Sequence, residues 1–181
     1  MVEEIPYVLT GYLTDEGVII DDKKAQEELK TRGYGEELNG KLLLKDYEAV
    51  FLLYSSKLRV LKEKKEMSVN EILDFAIVRD ANAWTRFLIY RDLRSRGYVV
   101  REGFGFGVDF RVYDRGEYGS KSAKYVVYGL NEGTKKSIKE MSEIVSQIGR
   151  MGKEAVLAVI ERRGEVIYYK VQGFKKFLHT V

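Results

Sequence analysis

Hydrophobic and polar positions change period along the chain, and the changes mark the elements. Residues 7–10 and 17–20 alternate like a strand pair around the turn Thr14-Asp15-Glu16-Gly17. Residues 24–31 have helical composition and stop at Gly33. Residues 47–55 are apolar and read as a helix, and residues 58–61 return as a strand. The charge run 62–66 reads as a solvated link. Ser68-Val69-Asn70-Glu71 is a capping box, in which the hydroxyl accepts from the amide of the fourth residue and the carboxylate reaches back. A helix to about Val78 follows. Residues 83–96 predict a longer helix with Trp84, Phe87, Leu88 and Leu93 among its apolar positions, and Gly97 suits the residue just past its end.

After Gly97 the period becomes that of strands. Residues 98–100, 106–113 and 124–128 are rich in β-branched and aromatic side chains. Residues 134–147 predict a helix with Ile138, Met141, Ile144, Val145 and Ile148 on one face. Residues 155–160 and 166–171 form a hairpin around Arg162-Arg163-Gly164. The order predicts an α/β protein: a small α+β domain over residues 1–79, then an α/β domain over residues 80–181 with a mixed sheet flanked by helices. No internal repeat or low-complexity segment interrupts it, and the single proline, Pro6, excludes a Pro-rich linker.

Composition narrows the chemistry. At 181 residues and 45% hydrophobic the chain can bury a sizeable core. No run of 18 apolar residues predicts a membrane span, and the opening MVEEIPYVLTG lacks the pattern of a secretory signal. Cysteine is absent and His179 is the one histidine, which argues against thiol chemistry, disulfides, zinc clusters and a His-based metal site. Charged residues reach 33% but the net charge is only +3, which permits a local basic face without requiring one. Asn and Gln are scarce beside Lys, Glu and Arg, as in heat-adapted proteins. The compartment expected is the reducing cytoplasm.

The segment DFRVYDRGEYGSKSAKYVVYGL, residues 109–130, concentrates the candidate chemistry. Arg111, Arg115, Lys121 and Lys124 lie beside Tyr113, Tyr118 and Tyr125. Cations interleaved with aromatics suit RNA phosphates and unstacked bases. The plainer reading is an exposed hairpin of a charged protein. Asp109 with Glu102 suggests a metal-dependent nuclease, but the next strand, 124–128, supplies no second acid for Mg²⁺. Lys153 precedes the strand 155–160 and is placed either to point a cation at a phosphate or simply to flank the strand. Gly103-Phe104-Gly105-Phe106-Gly107 lacks the ending of a phosphate loop, and its glycines permit a turn or bulge. The residues alone reach a two-domain α/β protein with a candidate RNA-binding face.

The order of segments adds a resemblance. Arg96-Gly97-Tyr98-Val99-Val100-Arg101, Gly107-Val108-Asp109-Phe110-Arg111-Val112-Tyr113, Lys124-Tyr125-Val126-Val127, Lys153-Glu154-Ala155-Val156-Leu157-Ala158-Val159 and Gly164-Glu165-Val166-Ile167-Tyr168-Tyr169 resemble, in that order, the archaeal tRNA-intron splicing endonuclease family. The resemblance covers about residues 80–175 and is loose before them. It implies a restriction-endonuclease-like C-terminal domain and cofactor-free, metal-free cleavage of precursor tRNA at bulge-helix-bulge sites. The products are 2′,3′-cyclic phosphate and 5′-hydroxyl ends. A Tyr, a His and a Lys serve as base, acid and phosphate-facing cation in such a family site.

Tyr113 and Lys153 match the Tyr and the Lys. The His should stand two residues before the Lys124-Tyr125 pair, and Ser122 stands there instead. A base-sandwiching Arg seven residues before the Lys is likewise replaced, by Ser146. His179 lies in the tail, away from the pattern. The resemblance then implies an architectural, catalytically degenerate subunit that pairs with a His-bearing homologue, as a heterotetramer, on precursor tRNA. The hairpin 166–171 with Phe174 is the candidate interface, with an internal core hairpin as the equal alternative, and residues 130–133 are where a docking loop should fall, with Glu132 as its acid. Two alternatives stay open: an active endoribonuclease using Lys121 or water as acid, and a non-enzymatic RNA-binding module.

Overall fold

The computed structural model describes residues 5–173. The chain divides into two compact units, Met1–Val99 and Val100–Val181.

The first unit is built on a six-stranded sheet. Strand β1 (Leu9–Leu13) pairs antiparallel with β2 (Val18–Ile20), Tyr12 opposite Ile19. Thr14 closes the turn between them, its amide and its hydroxyl both donating to Gly17 O. Strand β1 thus starts two residues later than its alternation suggests. Helix α1 (Lys23–Thr31) begins at Asp22, whose carboxylate accepts from the amide of Ala25 at 2.8 Å. Two strands then appear that the hydrophobic pattern did not predict, β3 (Glu36–Leu38) and β4 (Lys41–Leu44). Their turn is Asn39-Gly40, with φ of 51° and 77°, the left-handed pair that a two-residue hairpin needs. Helix α2 (Asp46–Tyr54) leads into β5 (Leu58–Lys62), which lies parallel to β1. The charge run expected as a link is instead the short hairpin of β5 with β6 (Lys65–Glu66).

Helix α3 (Val69–Arg79) starts at the predicted capping box, Ser68 with Glu71. Helix α4 (Ala83–Ser95) belongs to this first unit. Its Tyr90 is fully buried against Tyr47 and Phe51, with ring centroids 4.9 and 5.7 Å away. Its Arg94 is 3% exposed. That guanidinium donates to the carbonyls of Arg32 and Gly33 at 2.8 Å and lies 3.9 Å from the centre of the Tyr34 ring. These contacts place helix α4 in the first packing unit, which ends at Val99, while the sequence pattern places its start at the head of the second domain.

The second unit carries a five-stranded mixed sheet. In order of position its strands are β11 (Val166–Val171), β10 (Glu154–Ile160), β9 (Tyr125–Asn131), β8 (Asp109–Tyr113) and β7 (Val99–Glu102). Strands β8 and β9 are antiparallel, β9 and β10 parallel, β10 and β11 antiparallel. The parallel pair needs a crossover, and helix α5 (Ile138–Arg150) supplies it. It begins at the capping box Ser137/Glu140, four residues after the predicted start. Strand β8 is shorter than predicted, since Gly105 and Gly107, at φ of 89° and 127°, take the chain out of extended geometry. The molecule is thus α/β, with a strand-rich first domain and a second domain of mixed sheet and helices.

Candidate active site

The topology of the second unit brings three separate segments to one end of the sheet. Tyr113 is the last residue of β8, Ser122 and Lys124 immediately precede β9, and Lys153 immediately precedes β10. Register makes them level. Val112 and Glu154 both pair with Tyr125. The Lys124 amide donates to Val112 O at 3.0 Å, and the Glu154 amide donates to Lys124 O at 2.9 Å. Because β8 is antiparallel to β9 while β9 and β10 run together, one strand end and two strand starts meet at this edge.

Each side chain is set by local structure. Lys153 follows a helix ending, where the amide of Gly152 donates to Gly149 O and that of Lys153 to Ile148 O. Its Nζ then reaches across to Ala123 O at 2.6 Å, which fixes the half-buried ammonium beside the segment carrying Ser122. Tyr113 packs edge-on against Tyr118, with centroids 5.0 Å apart and planes at 90°. Between them the turn is closed by the amides of Glu117 and Ser120, which donate to Asp114 O and Glu117 O. Ser122 is exposed at the end of that turn.

The four basic candidates separate into two kinds. Lys121 and Lys124 are exposed and pair with Glu117 at 2.6 Å and Asp114 at 3.5 Å. Such surface pairs are worth about 0–1 kcal/mol and yield readily to a phosphate. A hydrogen bond to the Tyr125 side chain, with Asp114 nearby, holds the Lys124 ammonium above its ordinary pKa, so it stays charged. The backbone amide of Arg115, helped by Lys124, holds the Asp114 carboxyl below its ordinary value. Arg115 is exposed on the turn. Arg111 is different: its Nε donates to Glu102 O at 2.8 Å and its guanidinium lies 5.7 Å from the centre of the Phe104 ring.

Asp109 does not face a partner acid. It is 2% exposed and its carboxylate accepts from the amide of Phe104 at 2.6 Å. Among the described residues no cluster of three or more His, Asp or Glu side chains suits a metal ion. Ser146 sits half-buried in helix α5. Glu132, the acid of the expected docking loop, accepts from the amide of Arg162 at 3.1 Å and so ties its own segment to the β10–β11 turn. His179 and Phe174 lie outside the described residues.

Strand register thus puts a phenol, Tyr113, and an ammonium held by Ala123 O, Lys153, at the same end of one sheet. Comparison with known proteins defines the class. Residues 83–168 match the family model of the tRNA intron endonuclease catalytic C-terminal domain, and residues 9–73 match that of its N-terminal domain. The chain belongs to the tRNA intron endonuclease family. It is 32% identical to the tRNA-splicing endonuclease of Thermococcus onnurineus over 97% of this chain and 99% of the relative. With the tRNA-splicing endonuclease of Methanococcus vannielii it shares 34% identity over 91% of this chain and 93% of the relative. With that of Pyrococcus abyssi it shares 32% over 93% and 98%.

Proposed function

We propose that this chain is an architectural subunit of a tRNA-splicing endonuclease, working in the cytoplasm on precursor tRNA beside a homologous subunit that carries the catalytic His. The observation that carries the reading is Ser122: it is exposed at the shared strand edge, next to Ala123, whose carbonyl accepts from Lys153. Intron removal by this chemistry requires the ribose 2′-OH to attack the adjacent phosphate, with proton removal from the 2′-OH and proton delivery to the departing 5′ oxygen. Tyr113 supplies a phenol for the first transfer and Lys153 a cation for the charge gathering on phosphate. A serine hydroxyl titrates far from neutral pH and is a poor acid for the second.

The surface supports the partner. On one face of the β10–β11 hairpin, Ala155, Leu157, Val159, Ile167, Tyr169 and Val171 alternate in register, and each is half-buried or exposed. On the opposite face Ala158 and Ile160 are buried. Contiguous exposed apolar surface on an edge hairpin marks an interface. A homologous chain offering its own hairpin fits a face of this kind.

Mixing decides the matter. The chain alone should leave a bulge-helix-bulge RNA intact, and adding a His-bearing homologue should produce 2′,3′-cyclic phosphate and 5′-hydroxyl ends. Cleavage by the chain alone rejects the architectural role. The convergence of Tyr113 and Lys153 favours a second reading, an active site completed by Lys121 or water. Under that reading Tyr113→Phe and Lys153→Ala each lower the activity of the chain alone.

A further inference from the structure

We propose that Phe104 and Arg111 form a stacking site for an unpaired RNA base, beside Tyr113 on the same face of strand β8. The proposal rests on the reading of this chain as a subunit that holds precursor tRNA. Along β8, Asp109, Arg111 and Tyr113 alternate onto one face, while Phe110 and Val112 point into the core at 0% and 1% exposure. Two residues of strand separate Arg111 from Tyr113 by about 7 Å. The Arg111 guanidinium is fixed by the Glu102 carbonyl and lies beside the Phe104 ring, which is 43% exposed. A flat ring and a flat cation, both reachable from solvent, are the two partners on which unstacked bases settle.

A lone exposed phenylalanine is ordinary. What sets this one apart is how it is held. The carboxylate of Asp109, 2% exposed, accepts from the Phe104 amide, a hydrogen bond that offsets part of the cost of burying it and ties the loop to β8. Gly103 is obligatory there, because a Cβ would stand 2.2 Å from Asp109 Oδ2. Gly105 and Gly107 adopt the left-handed conformations that carry the loop back to β8. A Cβ on Gly107 would also press within 3.3 Å of the Tyr128 ring. Buried charge and glycine geometry together fix an apolar ring outward, on the face that ends at Tyr113.

The test uses the assembled complex of this chain with its His-bearing homologue and a bulge-helix-bulge RNA carrying 2-aminopurine in the bulge. Stacking on Phe104 should quench the probe. Phe104→Ala should relieve the quench and weaken RNA affinity about tenfold, the scale of one lost base stack. Phe104→Trp should keep both. Arg111→Lys retains the charge but not the plane, so affinity should fall several-fold with an unchanged salt dependence. Wild-type affinity and quench in Phe104→Ala overturn the site. So does a Phe104→Ala chain that no longer assembles with the homologue by gel filtration, since the ring is then a protein contact. The architectural role is judged by cleavage without the homologue, so it can fail while this site stands, and the reverse.

Discussion

The two units differ in where their apolar side chains lie. In the first, Val18, Ile20, Leu42, Leu44 and Val60 of the sheet are all at 0% exposure, and helix α2 buries Tyr47, Ala49, Val50 and Leu52. In the second, helix α5 fully buries only Ile148, its Ile138 is 82% exposed, and one face of the β10–β11 hairpin is half-buried to exposed. The first unit also exposes Tyr54, Val78 and Trp84, scattered over helices α2, α3 and α4, whereas in the second the exposed Ile167 and Tyr169 share one hairpin face. On the proposed reading the site of the second unit lacks an acid, with Tyr113 and Lys153 as its phenol and cation and Ser122 at the acid's position.

The largest test of that contrast acts on the site. Ser122→His, assembled with a homologue whose own His has been replaced, should restore cleavage by about 10²–10⁴-fold, the usual worth of a placed acid. End-group analysis of the RNA checks it, and no gain means the strand edge lacks more than the acid. Next comes the core. Leu44→Ala should destabilise the first unit by about 2–5 kcal/mol in denaturant titration, since its site is fully enclosed. Leu157→Ala, half-buried on the open face, should cost under about 1 kcal/mol in the isolated chain. Equal losses would erase the difference between the units.

A smaller effect is expected at the hairpin surface. Tyr169 is 52% exposed, so Tyr169→Asp should leave the melting temperature of the dilute chain unchanged. It should raise the dissociation constant of the assembly at least about tenfold, because a carboxylate then enters an apolar contact. Sedimentation against concentration reads this directly. Unchanged assembly would move the interface elsewhere.

Sequence pattern revealed the parts of this molecule that local physics decides. The Ser68/Glu71 cap, helix α4 and the β10–β11 hairpin all follow from period and capping residues. Two comparable local signals are Asn39-Gly40, which makes the β3–β4 turn, and Ser137/Glu140, which starts helix α5. Helix α4 packs on the first core although the catalytic-domain family model begins at residue 83, because its anchor, Arg94, reaches carbonyls of Arg32 and Gly33 more than sixty residues away. Tyr113, Ser122 and Lys153 are candidates through order of motifs rather than spacing, since only the register of three strands brings them level. The Phe104–Arg111 pair stayed hidden inside a glycine-rich stretch, because nothing local says that Asp109 turns back to hold that loop.

The smallest expected effect compares the two capping boxes, one in each unit. The Glu71 carboxyl is held down to about 2, first by its hydrogen bond from the Lys65 ammonium and then by the amide and hydroxyl of Ser68. Glu140 is also lowered, but by the Ser137 amide and hydroxyl, with Lys136 acting only through space. A depressed carboxyl stabilises the fold above its unfolded value and loses that contribution as pH falls toward the folded one. The start of helix α3 should therefore hold its protection unchanged above pH about 4.5 and lose it progressively down to about 2. Side-chain carboxyl NMR should place the Glu71 midpoint below that of Glu140, and Lys65→Met should bring the two together. Coincident midpoints in the unaltered chain would mean that the exposed lysine adds nothing, and that the same four-residue motif caps both helices equally.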